Sequence, residues 1–248
     1  MKKARLIYNP TSGREIIRRR LPDILDYLEQ AGYETSSHAT RGEHDATEEA
    51  ERAVARGFDC IIAAGGDGTL YEVVNGMARK KARPSLGIIP SGTSNDFARA
   101  IGLTRSVSRC CQIIARGKTK KIDLGRINDK YFINIAGGGA LTDLTYEVPS
   151  KLKTMLGQLA YYVKGIEKLA FVHPTHMHIE TREGTVVDEE IMLFLIANSR
   201  SVGGFERLAP QADLSDGKLD CLVLKKTNLA DLIRLATLAI RGDHVKDS

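Results

Sequence analysis

The chain has no tryptophan and only eight Tyr and six Phe among its 248 residues. So few rings leave little to stack on bases, and no recognition signature accompanies them, so nucleic acid is not an expected partner. Proline is scarce at seven residues, and 42% apolar with 27% charged residues is the composition of a folded globular protein, not of a linker or disordered tail. No apolar run approaches the roughly 20 residues that cross a bilayer, and Met1-Lys2-Lys3-Ala4 leads into strand-like sequence instead of a signal-peptide core. A cytoplasmic location is the expectation. The four cysteines, Cys60, Cys110, Cys111 and Cys221, have neither metal-ligand spacing nor the density of a disulfide framework, so they read as reduced. The histidines include no His-Glu-x-x-His, and the pair His176 and His178 shares a strand face without a nearby third ligand.

Positive charge is in surplus. The formal net charge is +5, with clusters at Arg18-Arg19-Arg20, Arg79-Lys80-Lys81 and Lys118 to Lys121. Such a balance favours anionic partners, phosphates among them, although a basic run also serves as an ordinary solvated face.

The length suits one or two compact units. Through about residue 120, strand-like and helix-like stretches alternate. Strands are expected at Lys3 to Tyr8, Tyr33 to Ala39, Asp59 to Ala64 and Ser85 to Ile89. Between them lie a helix with Ile17, Leu21, Ile24, Leu25 and Leu28 on one face, a second over Asp45 to Ala55, and a third carrying Leu70, Val73, Val74 and Met77. This alternation predicts an α/β fold with a parallel sheet, in which right-handed crossovers bring the loops after the strands to one edge. Beyond residue 120 the pattern becomes mostly β. Strands are expected at Tyr131 to Ala136, His176 to Thr181, Thr185 to Ala197 and Leu219 to Leu224, with a hairpin turn at Arg182-Glu183-Gly184. Helical pieces are expected at Lys151 to Leu169 and after Thr227. The expected organisation is therefore an α/β domain over residues 1–122, which the resemblance described below implies is nucleotide-binding, and an antiparallel, sandwich-like β-rich domain with a few helices over residues 123–248.

Three loops at the predicted sheet edge carry the chemistry. After the third strand, Gly65-Gly66-Asp67-Gly68-Thr69 places glycines where backbone N–H groups can approach an anion, at a helix N-terminus with its partial positive charge. Positive φ angles and the absence of a Cβ are what these glycines are expected to supply, and Thr69 is expected to cap the helix or bond a phosphate. The loop is neither a P-loop nor a dinucleotide fingerprint. Asp67 amid such amides would repel a phosphate unless it holds a metal, accepts a proton or pairs with a cation. Pro90 to Asp96 repeats the logic, with Gly92, the Thr93 and Ser94 hydroxyls, and Asn95-Asp96 as a helix cap. Asp67 and Asp96 on neighbouring strand ends are a pair that could organise one hydrated Mg²⁺.

Three motifs occur here in one order: Asn9-Pro10-x-Ser12-Gly13; Gly65-Gly66-Asp67-Gly68-Thr69 with Glu72-Val73-Val74-Asn75-Gly76; and Pro90-x-Gly92-Thr93-x-Asn95-Asp96-Phe97-Ala98-Arg99. Together they resemble the catalytic domain shared by diacylglycerol kinases and sphingosine kinases, most closely the soluble bacterial diacylglycerol kinases. The resemblance continues through Tyr131-Phe132-Ile133-Asn134-x-Ala136-x-Gly138-Gly139, Ser150-Lys151-Leu152-Lys153 and Leu214-Ser215-Asp216-Gly217. It implies ATP-dependent phosphorylation of the free hydroxyl of diacylglycerol, with the nucleotide between the two domains. By that resemblance Asn9, Ser12, Arg14, Gly66, Gly68, Thr69, Gly92 and Thr93 line the nucleotide site, and Asp67, Asp96 and Asp123 form an acidic network near a catalytic Mg²⁺. It also implies a second, structural Mg²⁺ held through one carboxylate, Asp216, and nearby backbone carbonyls, with Asp213 and Lys218 completing the set, although an Asp-Gly hairpin turn fits the local sequence as well.

Two departures stand out. Tyr71 occupies a position where the family commonly has Asn. Family members also continue for some tens of residues and carry a late Asp-Gly-Glu motif. None occurs in residues 1–248, so these residues alone are expected to turn over weakly. The rival readings are another lipid acceptor (a sphingoid base, monoacylglycerol or phosphatidylglycerol), NAD kinase, which shares the glycine loop, and a noncatalytic lipid- or nucleotide-binding relative. The acceptor lipid implies transient contact with the inner, anionic membrane surface through the basic clusters, and a homodimer is left open.

Overall fold

A computed structural model describes residues 1–80, 83–139, 174–201 and 208–241. The helical stretch expected at residues 151–169, the motif residues 150–153, Lys81 and the polar residues 242–248 lie outside the described residues. The chain divides into two compact units, Met1–Ile133 and Asn134–Ser248.

In the first unit, strands and helices alternate as β1 (Lys2–Tyr8), α1 (Ile16–Gln30), β2 (Tyr33–Ala39), α2 (Asp45–Ala55), β3 (Cys60–Gly65), α3 (Asp67–Ala78) and β4 (Ser85–Pro90). A short α4 (Asp96–Ala100), α5 (Val107–Ala115) and the hairpin strands β5 (Gly125–Ile127) and β6 (Lys130–Phe132) follow. The first four strands form a parallel sheet in the order β2-β1-β3-β4. The order reverses between β1 and β3, and a sheet of this kind opens a crevice at the carboxyl ends of the strands flanking such a switch point. β3 is buried along its whole length, as expected of a central parallel strand covered on both faces. The main core packs Leu6 of β1 and Ile62 of β3 with Ile17, Ile24 and Leu28 of α1 and Cys110 and Cys111 of α5. Burial pushes both α5 thiols up to about 11, so they remain protonated fillers of apolar space.

A second polar feature holds α2 to the sheet. Glu49, 4% exposed, accepts from Arg5 Nε at 2.7 Å and from Arg52 Nε at 2.9 Å. Burial opposes its ionisation, but the hydrogen bonds from Arg52 and Arg5 outweigh that and hold the carboxyl below its ordinary value.

The boundary falls ten residues or so beyond the expected one near Asp123, because the β5–β6 hairpin belongs to the first unit. For the same reason the single strand expected at Tyr131 to Ala136 is two strands. β6 ends at Phe132, which pairs with Gly125, while β7 (Ile135–Gly139) pairs with a strand of the second unit. A side chain at Gly125 would strike the Phe132 ring at 1.9 Å, so the ring occupies the space that the glycine leaves.

The second unit contains β7, β8 (Thr175–Glu180), β9 (Val186–Ala197), β10 (Asp220–Lys225) and α6 (Leu229–Arg241). The long β9 is the spine of an antiparallel sheet. β10 lies along one edge, and β7 and β8 share the other. The expected turn at Arg182-Glu183-Gly184 joins β8 to β9, with Gly184 at φ 85° and Thr181 N–H bonded to the Thr185 carbonyl at 3.0 Å. Among the described residues no helix is long and apolar enough to cross a membrane.

Candidate functional site

The three loops named from sequence meet at the carboxyl ends of β1, β3 and β4. Asn9 N–H extends the ladder by bonding the Ala64 carbonyl at 3.0 Å, and Ser91 N–H bonds the Gly65 carbonyl at 2.8 Å. Beyond these ties the loops approach more closely than side chains allow. A Cβ at Gly13 would lie 1.9 Å from the Ser91 carbonyl oxygen, and one at Gly92 would lie 2.5 Å from the Gly66 Cα. Ser91 Oγ and Ser12 Oγ share a hydrogen bond of 3.0 Å across the first and third loops.

The first loop runs through a left-handed turn, with Gly13, Arg14 and Glu15 at φ 57°, 56° and 62°. Such a run is strained for the two non-glycine residues, by roughly 1–2 kcal/mol each. The Asn9 carboxamide oxygen is taken by Thr11, accepting from its N–H at 3.0 Å and its hydroxyl at 2.9 Å, so the amide NH₂ is what Asn9 offers a ligand. Arg14 is exposed.

In the second loop, the expected positive φ angles are absent: Gly66 is extended at φ −91° and ψ −171°, and Gly65 and Gly68 are not in the left-handed region. These glycines matter through contact. A Cβ at Gly65 would sit 2.4 Å from Thr69 Oγ1, whereas one at Gly68 meets nothing within 4 Å. Thr69 is not the cap. It lies inside α3, which starts at Asp67, and packs its side chain over Gly65. The N-cap is Gly66, which has no side chain to satisfy the first-turn N–H groups. Helix geometry leaves those groups without intrahelical partners, so they are free to receive an anion.

In the third loop Asn95 stands at the N-cap of α4, but its side chain does not cap the helix. Instead the carboxamide closes the loop on itself, accepting from Gly92 N–H at 2.9 Å and donating to the Gly92 carbonyl at 2.6 Å. Asn95 is 5% exposed and left-handed at φ 51°, a conformation asparagine tolerates better than most residues. Two arginines grip the same loop from outside. Arg105 Nη2 donates to the Thr93 carbonyl at 2.7 Å, and Arg99 Nη2 donates to the Ser94 carbonyl at 3.1 Å and to Asp96. Thr93 is exposed. Sequence reasoning missed the roles of Ser91, Asn95 and Arg105. Asn95 was visible as part of the motif, but Arg105 had no signal.

Asp67 opens α3, Asp96 opens α4 on the neighbouring strand end, and Asp123 precedes β5, each partly buried. Among the described residues no three His, Cys, Asp or Glu side chains are grouped to hold a metal. The acidic trio is therefore not a ready-made cage, and Asp96 is tied to Arg99. This donor set fits Mg²⁺ in the way that ion usually binds nucleotides, through phosphate oxygens and water with one or two carboxylates.

In the second unit, Asp213, Asp216 and Lys218 lie on one exposed stretch before β10. Asp213 Oδ1 accepts from Ser215 N–H and hydroxyl, each at 2.9 Å, and Asp216 Oδ1 accepts from Lys218 N–H at 2.9 Å. Gly217 is left-handed at φ 77°. The Asp-Gly pair does turn the chain, but not as a tight hairpin, since residues 198–219 separate β9 from β10. Burial, then the charge of Asp216, push Asp220 up from its ordinary value. The Lys218 ammonium pairs with Glu183 at 2.7 Å, so what Lys218 can offer a cation beside the Asp216 carboxylate is its main-chain carbonyl, as in the rest of this stretch.

A cavity of about 430 Å³ opens at the opposite end of the first sheet, lined by Lys2, Asp59, Cys60, Leu86, Cys110 and Ile114. It lies at the amino ends of the strands, away from the glycine loops.

Residues 3–127 match the diacylglycerol kinase catalytic domain, and residues 142–248 match the YegS C-terminal NAD kinase beta sandwich-like domain. Over 248 residues the chain is 58% identical to a diacylglycerol kinase of Bacillus subtilis (strain 168), spanning 100% of this chain and 82% of that protein. It is 50% identical over 245 residues to a diacylglycerol kinase of Staphylococcus aureus (strain JH9), spanning 99% of this chain and 78% of that one. A crystal structure of a diacylglycerol kinase from Bacillus anthracis str. Sterne matches with a TM-score of 0.75 at 28% identity, covering 100% of this chain and 78% of that chain.

Proposed function

Because this chain belongs to the diacylglycerol kinase catalytic-domain family, we propose that it transfers the γ-phosphoryl group of ATP to the free hydroxyl of diacylglycerol, giving phosphatidic acid and ADP. The observation that carries this reading is the convergence of three strand-end loops at glycines where no Cβ fits, beside the uncapped N-terminus of α3. Such a surface suits a polyphosphate, which accepts hydrogen bonds on every side.

In this reading the first-turn N–H groups of α3 and the loop around Gly92 hold the phosphates, with Arg14 as the exposed cation at the rim. Phosphoryl transfer depends mainly on positioning and charge neutralisation, which fixed amides supply without reorganising. The substrate oxygen bonds to the γ-phosphorus as the bond to the β,γ-bridging oxygen breaks, and the hydroxyl proton passes to a carboxylate, for which Asp67 is the candidate. Asp67, Asp96 and Asp123 are the carboxylates that would hold Mg²⁺ near the phosphates, and the ion would supply charge neutralisation there. A second Mg²⁺ would be held as a structural ion by the Asp216 carboxylate with Asp213 and the main-chain carbonyls around Lys218. The protein would work at the cytoplasmic face of an anionic membrane, attracted through exposed Arg18, Arg19, Lys118, Lys120 and Lys121.

The test is the purified protein with Mg-ATP and a panel of diacylglycerol, monoacylglycerol, sphingosine and NAD. Diacylglycerol is expected to accept phosphate best, and Asp67→Asn to lower turnover by about 10²-fold or more. Survival of turnover within about threefold would remove Asp67 from the chemistry, and preference for another acceptor would reassign the substrate.

A further inference from the structure

We infer that Asn75 is a positioning residue of the phosphotransfer site: its buried carboxamide pins the β5–β6 hairpin, and with it Asp123, to the helix that begins at Asp67. The inference rests on the reading of Asp67 and Asp123 as site carboxylates given above.

Asn75 is 3% exposed, on a helix whose neighbouring buried positions are Val73, Val74 and Met77. A buried amide is a poor choice for helix propensity and for packing alone. Its hydrogen bonds explain its presence. Oδ1 accepts from Tyr131 N–H at 2.9 Å, and Nδ2 donates to the Tyr131 carbonyl at 2.9 Å and to the Tyr71 carbonyl at 2.9 Å. The side chain thus presents a donor and an acceptor side by side to one backbone residue, as a third strand would.

The hairpin needs such a partner. Among the described residues β5 and β6 pair only with each other, and Tyr131 lies opposite Arg126. Successive positions of an antiparallel ladder alternate between bonding inward and pointing their N–H and C=O outward. Tyr131 points outward, and Asn75 takes up both groups. One clamp therefore fixes two elements that each lead to a carboxylate. Asp67 lies eight residues back along α3, about 12 Å at helical rise. Asp123 lies three residues before Arg126, about 10 Å of extended chain.

The experiment is a double-mutant cycle of Asn75→Ala and Asp123→Asn in the whole protein. It measures kcat, KM for ATP and the Mg²⁺ concentration giving half-maximal rate, with thermal melts to count folded protein. Asn75→Ala is expected to lower kcat by about 10- to 100-fold, the scale of a misplacement near 1 Å, and to raise the Mg²⁺ requirement about threefold or more while KM for ATP stays within about twofold. Added to Asp123→Asn it should cost no further than about threefold, since both changes remove the same placed carboxylate. Asn75→Asp keeps the volume and the acceptor but loses both donated bonds, and it serves in the same cycle if the alanine variant does not fold. Multiplicative losses in the double variant, or lost activity that tracks lost folded protein at an unchanged Mg²⁺ requirement, would overturn the inference. Turnover of the single Asp123→Asn variant within about threefold would instead overturn the reading of Asp123, and the inference with it, before Asn75 is touched.

Discussion

Replacing Gly68 by alanine separates what the fold requires from what a ligand requires. An added Cβ there meets no atom of the described residues within 4 Å outside its own helix turn, and the residue is not left-handed. The substitution falls in the first turn of α3, where alanine loses less backbone entropy than glycine, so stability should rise by about 0.5 kcal/mol and the melting temperature by about 1 to 3 °C. The same methyl would stand over the N–H groups at the helix start. If phosphate oxygens approach those groups, one charge-assisted hydrogen bond is lost, worth about 1.5–3 kcal/mol, or about 10- to 100-fold in Kd. The predicted signature is opposite signs: a protein that melts higher and binds Mg-ADP more weakly. Differential scanning fluorimetry and isothermal titration calorimetry on one preparation would read both. Nucleotide affinity within about twofold of the parent would refute the placement of phosphate at α3, whatever happened to activity.

Gly92→Ala should behave differently, because its Cβ would lie 2.5 Å from Gly66 Cα and 3.0 Å from Asn95 Oδ1; overpacking of this kind costs about 1–3 kcal/mol, so melting temperature and nucleotide affinity should fall together, and an unchanged melt would show that the loops give way freely. Glu49→Gln leaves Arg5 without its carboxylate and should destabilise by about 3 kcal/mol near neutral pH by urea titration. The sign of the pH effect follows from the lowered Glu49 value: its contribution is complete above the ordinary 4.5 and is lost as pH falls through the folded value, so the parent should lose stability below about pH 5 more steeply than the variant. Equal slopes would show that Glu49 titrates normally. Co-sedimentation should show binding to anionic but not neutral vesicles, weakened by salt as expected for a contribution of about 1 kcal/mol per basic residue at the surface; equal binding to both vesicle types would remove the basic clusters from membrane attraction.

Much of the first unit was legible because its signals are periodic. Tyr33–Ala39 and Asp45–Ala55 form as read, and in α1 the apolar stripe named both the helix and its buried face at Ile17, Ile24 and Leu28. α5 was not anticipated, although its Ser106 cap accepts from Arg109 N–H and Val107, Cys110 and Cys111 are its buried stripe. Two of those three positions are cysteines, whose apolar character is easily discounted. β5 was not anticipated, and β6 was merged with β7 into one strand because Tyr131 to Ala136 looks continuous in composition. Its break at Ile133–Asn134 comes from which strands pair, and pairing partners distant in sequence leave no local trace.

The glycines carry a sharper lesson about the site. Their positions were read correctly, but Gly65, Gly66 and Gly68 do not serve by adopting positive φ. Gly65 makes room for Thr69, Gly66 lies against Gly92, and Gly68 leaves open space at the helix start. Close approach between segments is a tertiary property, so sequence can mark where a side chain is missing but not what fills the gap. The same holds for Asn95, which looks like a helix cap and instead closes the Gly92 turn. Together with Ser91, Arg99 and Arg105 it shapes the third loop through bonds made entirely within the protein. A ligand entering loops already held in place does not have to order them, and the ordering of mobile side chains costs roughly 0.5–1.5 kcal/mol each. The strained left-handed turn at Arg14 and Glu15 is the exception, and Gly13 lies against the Ser91 carbonyl at its start. Strain held in one loop by contact with another means that shifting either loop shifts both, which is why Gly92, rather than any carboxylate, is the position where a single methyl should disturb the entire phosphate cradle.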